Sequence, residues 1–192
     1  MNDLQPTPNT FDHLDFWNDT YVSYAKAEKI MMQCDSYNRI EALVTLADRM
    51  KRTVFFRLLG EWWSRCDNTG VFKYELEEYV FSNWQEYPQL MRKMMTRREL
   101  TAYDALPETV TIYRGCYKSN ESGLSWTLSC EIAEKFPYFT RYWQKGQPLL
   151  ITAEVDKKDI IALKLCRDES EIITTMARRN STRRLGKRPL VI

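Results

Sequence analysis

Thr109-Val110-Thr111-Ile112-Tyr113-Arg114-Gly115 is the stretch on which the fold turns. Its first five residues are all β-branched or aromatic, side chains that fit a pleated and half-buried surface, so they predict a strand. The chain on either side differs in kind. Before Pro107, apolar residues recur at helical intervals: Ile40, Leu43, Val44, Ala47, Met50, Val54, Leu58 and Trp62 predict one helix of several turns. Asp35 or Ser36 can cap its start, and Asp67-Asn68-Thr69-Gly70 stops it. Further helices are predicted from about Phe72 to Trp84 and, after Pro88, through Met91, Met94 and Met95. After Pro107, strand-like runs follow at 149–155, 160–165 and 169–175. Between them Ser129 can cap a short helix with Ile132, Ala133 and Phe136 on one face. The expectation is an α+β protein, with a helical lobe over residues 1–107 and a strand-rich core over residues 108–192.

At 192 residues, with 44% hydrophobic and 28% charged side chains, the composition is that of an ordinary globular chain. No apolar run approaches the roughly 20 residues of a membrane helix. The start, Met1-Asn2-Asp3-Leu4-Gln5-Pro6, has neither the basic residues nor the apolar stretch of a secretion signal. A cytoplasmic protein with no membrane partner is expected. Cys34, Cys66, Cys116, Cys130 and Cys166 are odd in number, and no two lie within four residues of each other. They predict reduced thiols, with neither a disulfide framework nor a zinc site. The single histidine, His13, reads as a surface residue, so no His-based triad and no metal are expected.

Net charge is +2 and unevenly spread: residues 1–100 carry 13 basic and 15 acidic side chains, residues 101–192 carry 15 and 11. The last fifteen or so residues hold Arg178, Arg179, Arg183, Arg184, Lys187 and Arg188 and no acid. Such a run suits a solvated surface or the steering of an anionic partner.

Three small signals follow one another after Pro107. Alternation along the first strand puts Val110, Ile112 and Arg114 on one face, so the arginine ends at the edge of a core. It can make a structural ion pair there, or clamp a phosphate with its guanidinium fork. Gly115 next to it permits close approach to the backbone. Ser125 and Thr127 share one side of an extended segment, as a turn into a helix or as part of a site. Glu169 and Glu171 share a face with Ile173, and two carboxylates so close repel unless cations or donors offset them. They form either a charged strand end or a catalytic pair.

Arginine, then Ser-x-Thr, then Glu-x-Glu, in that order, resembles the ADP-ribosyltransferases of the Arg-Ser-Glu type. The stretch Gly123-Leu124-Ser125-Trp126-Thr127-Leu128-Ser129, leading to Ala133-Glu134-Lys135-Phe136, is most similar to toxin-like and phage-encoded members. The similarity covers roughly residues 108 to 175. It implies a mono-ADP-ribosyltransferase that takes NAD as substrate, needs no metal, and moves ADP-ribose to a macromolecular acceptor with release of nicotinamide. By the resemblance Glu171 is the catalytic carboxylate at the nicotinamide ribose, oriented by Ser125, and Glu169 serves the incoming nucleophile. Arg114, Gly115, Ser125, Thr127, Phe136 and Arg141 would hold NAD. Trp126 stands where the family has its central threonine, and Pro137 where it often has a small residue.

Glu-x-Glu goes mostly with arginine acceptors in that family, so a protein arginine is placed slightly ahead of nucleic acid. Arg92, Lys93, Arg97 and Arg98, the basic tail, and the aromatics Tyr142 and Trp143 would suit nucleic acid. The helical lobe could shape the NAD cleft, bind the target, or receive an inhibitor or antitoxin partner. Two other classes compete: a nucleic-acid-binding protein without catalysis, and a degenerate transferase fold that docks a protein.

Overall fold

The computed structural model describes residues 21–67, 69–82, 84–166 and 169–186. The readings made on His13, Lys187 and Arg188 lie outside the described residues. Among the described residues are seven α-helices and one six-stranded antiparallel sheet, an α+β architecture.

Helix α1 (Tyr24–Gln33) opens where Ser23 Oγ accepts from Lys26 N at 3.3 Å. The segment expected as one helix from Ile40 to Trp62 is two. Helix α2 (Arg39–Leu46) passes through a tight turn at Ala47–Arg49 into an extended Met50, and α3 (Arg52–Trp62) starts anew. Asp35 does act at the start: its Oδ1 accepts from Tyr37 N at 2.8 Å and Asn38 N at 3.0 Å. At the break, the carbonyl of Arg49 accepts from Val22 N at 2.7 Å, which ties the entry of α1 to it. Ile40, Leu43 and Leu46 before the break and Phe55, Phe56 and Leu59 after it stay in one buried cluster. An apolar stripe that keeps its phase across a short break reads as one helix.

The remaining helical stretches are short. Helix α4 (Lys73–Glu75) runs into a π-turn at Leu76–Val80, and α5 (Pro88–Met91) is a single turn opened by proline. Helix α6 (Arg97–Asp104) begins with a capping box between Thr96 and Glu99.

The strands are β1 (Thr109–Cys116), β2 (Ser125–Thr127), β3 (Leu149–Asp156), β4 (Ala162–Cys166), β5 (Glu169–Ile173) and β6 (Arg178–Arg184). Their order across the sheet is β4-β5-β2-β1-β3-β6. Strands β1 and β3 pair along their whole length, from Thr109 opposite Asp156 to Cys116 opposite Leu149. Val110 and Ile112 are buried as alternation requires. Helix α7 (Cys130–Lys135) is capped by Ser129, whose Oγ accepts from Ile132 N at 3.2 Å, and it gives way to a 3-10 turn containing Pro137. It lies so close to β1 that a Cβ on Gly115 would sit 1.7 Å from Ala133 O.

Strand β6 falls in the basic run that the sequence presents as a solvated surface or a steering surface for an anionic partner, not as a strand. Its composition, Arg178-Arg179-Asn180-Ser181-Thr182-Arg183-Arg184, has little strand preference, and every residue is exposed. Pairing with the edge of β3, through a bulge at Thr152/Ala153, imposes the conformation. Ion pairs hold it: Arg178 to Asp156 at 2.7 Å, Arg179 to Glu121 at 3.2 Å, and Arg183 to Glu134. Three of the four arginines on β6 are therefore paired in place.

Trp63, Met94 and Met95 from the helices and Val155, Leu163 and Ile172 from the sheet belong to one buried cluster. A buried ion pair, Lys164 Nζ to Glu99 Oε2 at 2.9 Å, crosses the same boundary.

Candidate functional site

Strands β1 and β2 pair at one position only, Tyr113 opposite Thr127, and then part. Strands that separate leave carbonyls in need of donors. Arg114 supplies them: its Nη1 donates to Ser125 O, and its Nη2 donates to Asn120 O at 2.9 Å. Gly123 makes the room, since a Cβ there would lie 2.1 Å from Nη2. The Nε is buried and has no hydrogen-bond partner among the described residues. Neither does any carboxylate among them form an ion pair with this guanidinium. Burial pushes its pKa below the ordinary arginine value, with Cys116 and Glu171 acting the other way. A cation held by carbonyls alone keeps its attraction for an anion.

The parted strands form the floor of a cleft of about 420 Å³, a size usual for small-molecule sites. Arg114, Gly115, Ser125, Thr127, Phe136, Glu169 and Glu171 all line it. Three segments distant in sequence thus meet in one place. Both glutamates come from β5, whose register sets Glu171 opposite Thr127 and Ile173 opposite Ser125.

The hydrogen bonds holding Glu171 come from the helical half. Trp63 Nε1 donates to Oε1 at 2.9 Å, and Ser64 Oγ donates to Oε2 at 3.4 Å. Trp63 is 1% exposed, and its ring leans on Phe81 with centroids 6.2 Å apart. Among the described residues Glu171 receives side-chain hydrogen bonds from Trp63 and Ser64, and none from Ser125. Thr127 is buried, and its Oγ1 accepts from Ser129 N at 3.1 Å, shaping the turn into α7.

Gly115 lines the cleft, and the closeness of α7 demands a glycine there whether or not a ligand binds. Phe136 presents an aromatic wall, stacked with Tyr142 at 5.3 Å between centroids. Arg141 is not in the lining. Beyond Pro137 the chain runs in tight turns, and they carry Arg141 to Asp67, at 3.2 Å, and over the ring of Tyr142 at 5.7 Å. It steadies two lining residues, Asp67 and Tyr142, from outside.

Three thiols reach the cleft, Cys66, Cys116 and the exposed Cys166. Burial pushes Cys66 up to about 12 and also raises Cys116, so neither is a thiolate at neutral pH. Neither of these two thiols supports nucleophilic cysteine chemistry. Among the described residues, no group of three His, Cys, Asp or Glu is placed to hold a metal ion. No helix among them is long and apolar enough to cross a membrane.

Comparison with protein-family models, with curated proteins and with solved structures gives no match. The case for a function rests on the cleft.

Trp63, Ser64 and Asn120 are among the lining residues to which sequence reasoning gave no part in the site. Trp63 reads as one more core aromatic on an apolar helix.

Proposed function

We propose that this cleft binds NAD, and that the protein is a mono-ADP-ribosyltransferase. The observation that carries the reading is the convergence of Arg114, the Ser125–Thr127 strand and the Glu169/Glu171 pair on one cleft. A binding protein without catalysis has no need to gather two carboxylates beside a buried cation. The cleft offers each part of a dinucleotide a fitting neighbour: Arg114 for phosphate, aromatic faces for a base, and carboxylates for ribose hydroxyls.

The chemistry follows from the bond that breaks. Nicotinamide leaves with the electron pair of its bond to the ribose carbon, and positive charge builds on the sugar. Glu171 opposes that charge electrostatically, as a carboxylate does at a glycosidic centre. An acceptor group then bonds to the same carbon, and its proton passes to Glu169. The acceptor is a macromolecule, with a protein arginine ahead of nucleic acid. The ion pairs along β6 weaken the case for nucleic acid, because three of its arginines already have carboxylate partners. The test is nicotinamide release from NAD, with and without cell lysate, by wild-type protein and Glu171→Gln. Release that needs Glu171 supports the transferase; equal release from both, or none from either, sinks it.

A further inference from the structure

We infer that Trp63 and Ser64 are positioning residues for Glu171, so that the helical lobe builds half of the catalytic carboxylate's setting. The proposal rests on the transferase reading and goes beyond it, since that reading draws every working residue from the strand-rich half.

An indole N–H can only donate, and it points where its ring is packed. Trp63 is almost fully buried against Phe81, so the direction of its N–H is fixed by the core and not by the ligand. A donor buried to that degree needs a partner, and the partner here is Glu171 Oε1 at 2.9 Å. The two carboxylate oxygens are consequently unequal. Oε1 is anchored by a short bond, while Oε2 has only the long 3.4 Å contact from Ser64. Oε2 is the oxygen free to grip a ribose hydroxyl, and rotation of the carboxylate away from it is opposed by the anchor. Ser64 lies in the turn Trp63–Arg65 that ends α3, and the same segment continues through Cys66 and Asp67 along the cleft wall. The end of α3 thus delivers the anchor, the second donor and part of the wall together. A carboxylate held before substrate arrives needs no reorganisation during reaction.

Loss of the anchor acts chiefly on the transition state, because NAD binding draws mainly on Arg114 and the aromatic faces while the hold of Glu171 on the ribose strengthens as positive charge builds there. Trp63→Phe is expected to lower kcat for nicotinamide release on the order of 10- to 100-fold, the scale of a misplaced catalytic group, with KM for NAD within about twofold. Ser64→Ala is expected to lose about two- to tenfold, the scale of one hydrogen bond, with recovery in Ser64→Thr. A second readout needs no turnover. In protein labelled with ¹⁵N-tryptophan, the indole resonance missing from Trp63→Phe belongs to Trp63, and Glu171→Gln should move it more than any other indole.

Wild-type kcat in Trp63→Phe, or a loss carried by KM, overturns the proposal. A Trp63 indole resonance indifferent to Glu171→Gln does the same; if Trp63→Phe does not fold, Ser64→Ala decides the matter, and wild-type kcat there overturns the proposal. Release that is equal in wild type and Glu171→Gln removes the transferase reading, and this proposal with it. Release that depends on Glu171 but ignores Trp63 and Ser64 removes the proposal alone.

Discussion

Trp63 and Glu171 stand 108 positions apart in the chain and share a 2.9 Å hydrogen bond. One sits at the end of α3 and the other on β5, so the bond joins the helical half to the sheet at the cleft. The carboxylate is held by the fold as a whole. Its chemistry can therefore be removed without removing the fold.

Glu171→Gln is expected to keep the fold and lose the reaction. Glutamine retains the shape and an oxygen that accepts from Trp63, but it lacks the charge that opposes developing positive charge on the ribose. Nicotinamide release should fall about 100- to 1000-fold, the scale of a lost electrostatic stabiliser. Circular dichroism and the melting temperature should stay near wild type. A collapse of the melt alongside the rate would leave Glu171 as a structural residue.

Arg114→Lys should weaken both NAD binding and stability. Lysine keeps a charge but cannot span the Ser125 and Asn120 carbonyls as the guanidinium does. At least one half-buried carbonyl then loses its donor, at a cost of about 1 kcal/mol. Calorimetry with NAD and urea unfolding measure the two effects separately. Full stability and full affinity in this variant would show that the arginine neither staples the strands nor holds a ligand.

The glycines separate space from flexibility. Gly115→Ala and Gly123→Ala would place a Cβ 1.7 Å from Ala133 O and 2.1 Å from Arg114 Nη2. The first must push α7 off β1, and about 1–3 kcal/mol is the usual cost of such overpacking. The second must push the Arg114 guanidinium off the Ser125 and Asn120 carbonyls, so its loss should appear in NAD affinity and in stability alike. Gly70→Ala, with nothing within 4 Å, is the control and should lie within about 0.5 kcal/mol of wild type. Denaturant midpoints for the three variants check the ranking; a Gly115→Ala midpoint equal to that of Gly70→Ala would contradict the packing.

The strand-rich half was legible because its signals are local. Alternation at Val110 and Ile112, the cap at Ser129 and the stop at Pro137 each act within a few residues. What the sequence concealed depends on distant partners. The break at Met50 hides inside a stripe that stays in phase, and β6 takes its form from β3 rather than from its own residues. At the cleft, the three motifs were visible as types in order, but Trp63 and Ser64 were not. Nothing near Trp63 in sequence says that its N–H finds a carboxylate on a strand. Arg141 shows the reverse case: the resemblance pointed inward, and the turns after Pro137 lead it to Asp67.

Acid should loosen the join between helices and sheet through Glu99. This buried carboxylate accepts from Thr96 N at 2.7 Å, Lys164 Nζ at 2.9 Å and Leu165 N at 3.0 Å. Burial alone would raise its pKa, but these donors outweigh burial and hold it below the usual carboxylate value of 4.5. A carboxyl whose pKa is lower folded than unfolded contributes stability that is complete above the unfolded value. That contribution fades as pH falls through the folded value. The stabilisation is thus fully present at pH 7 and is lost below about 4.5. Glu99→Gln should cost about 3–5 kcal/mol at pH 7, because it leaves the Lys164 ammonium buried without its counter-charge. Pairing it with Lys164→Met should recover much of that loss, since no charge is then buried at the site. Urea unfolding from pH 7 to pH 3 reads both effects. Glu99→Gln should show a flatter acid limb than wild type, and parallel limbs would mean that Glu99 does not carry the acid sensitivity.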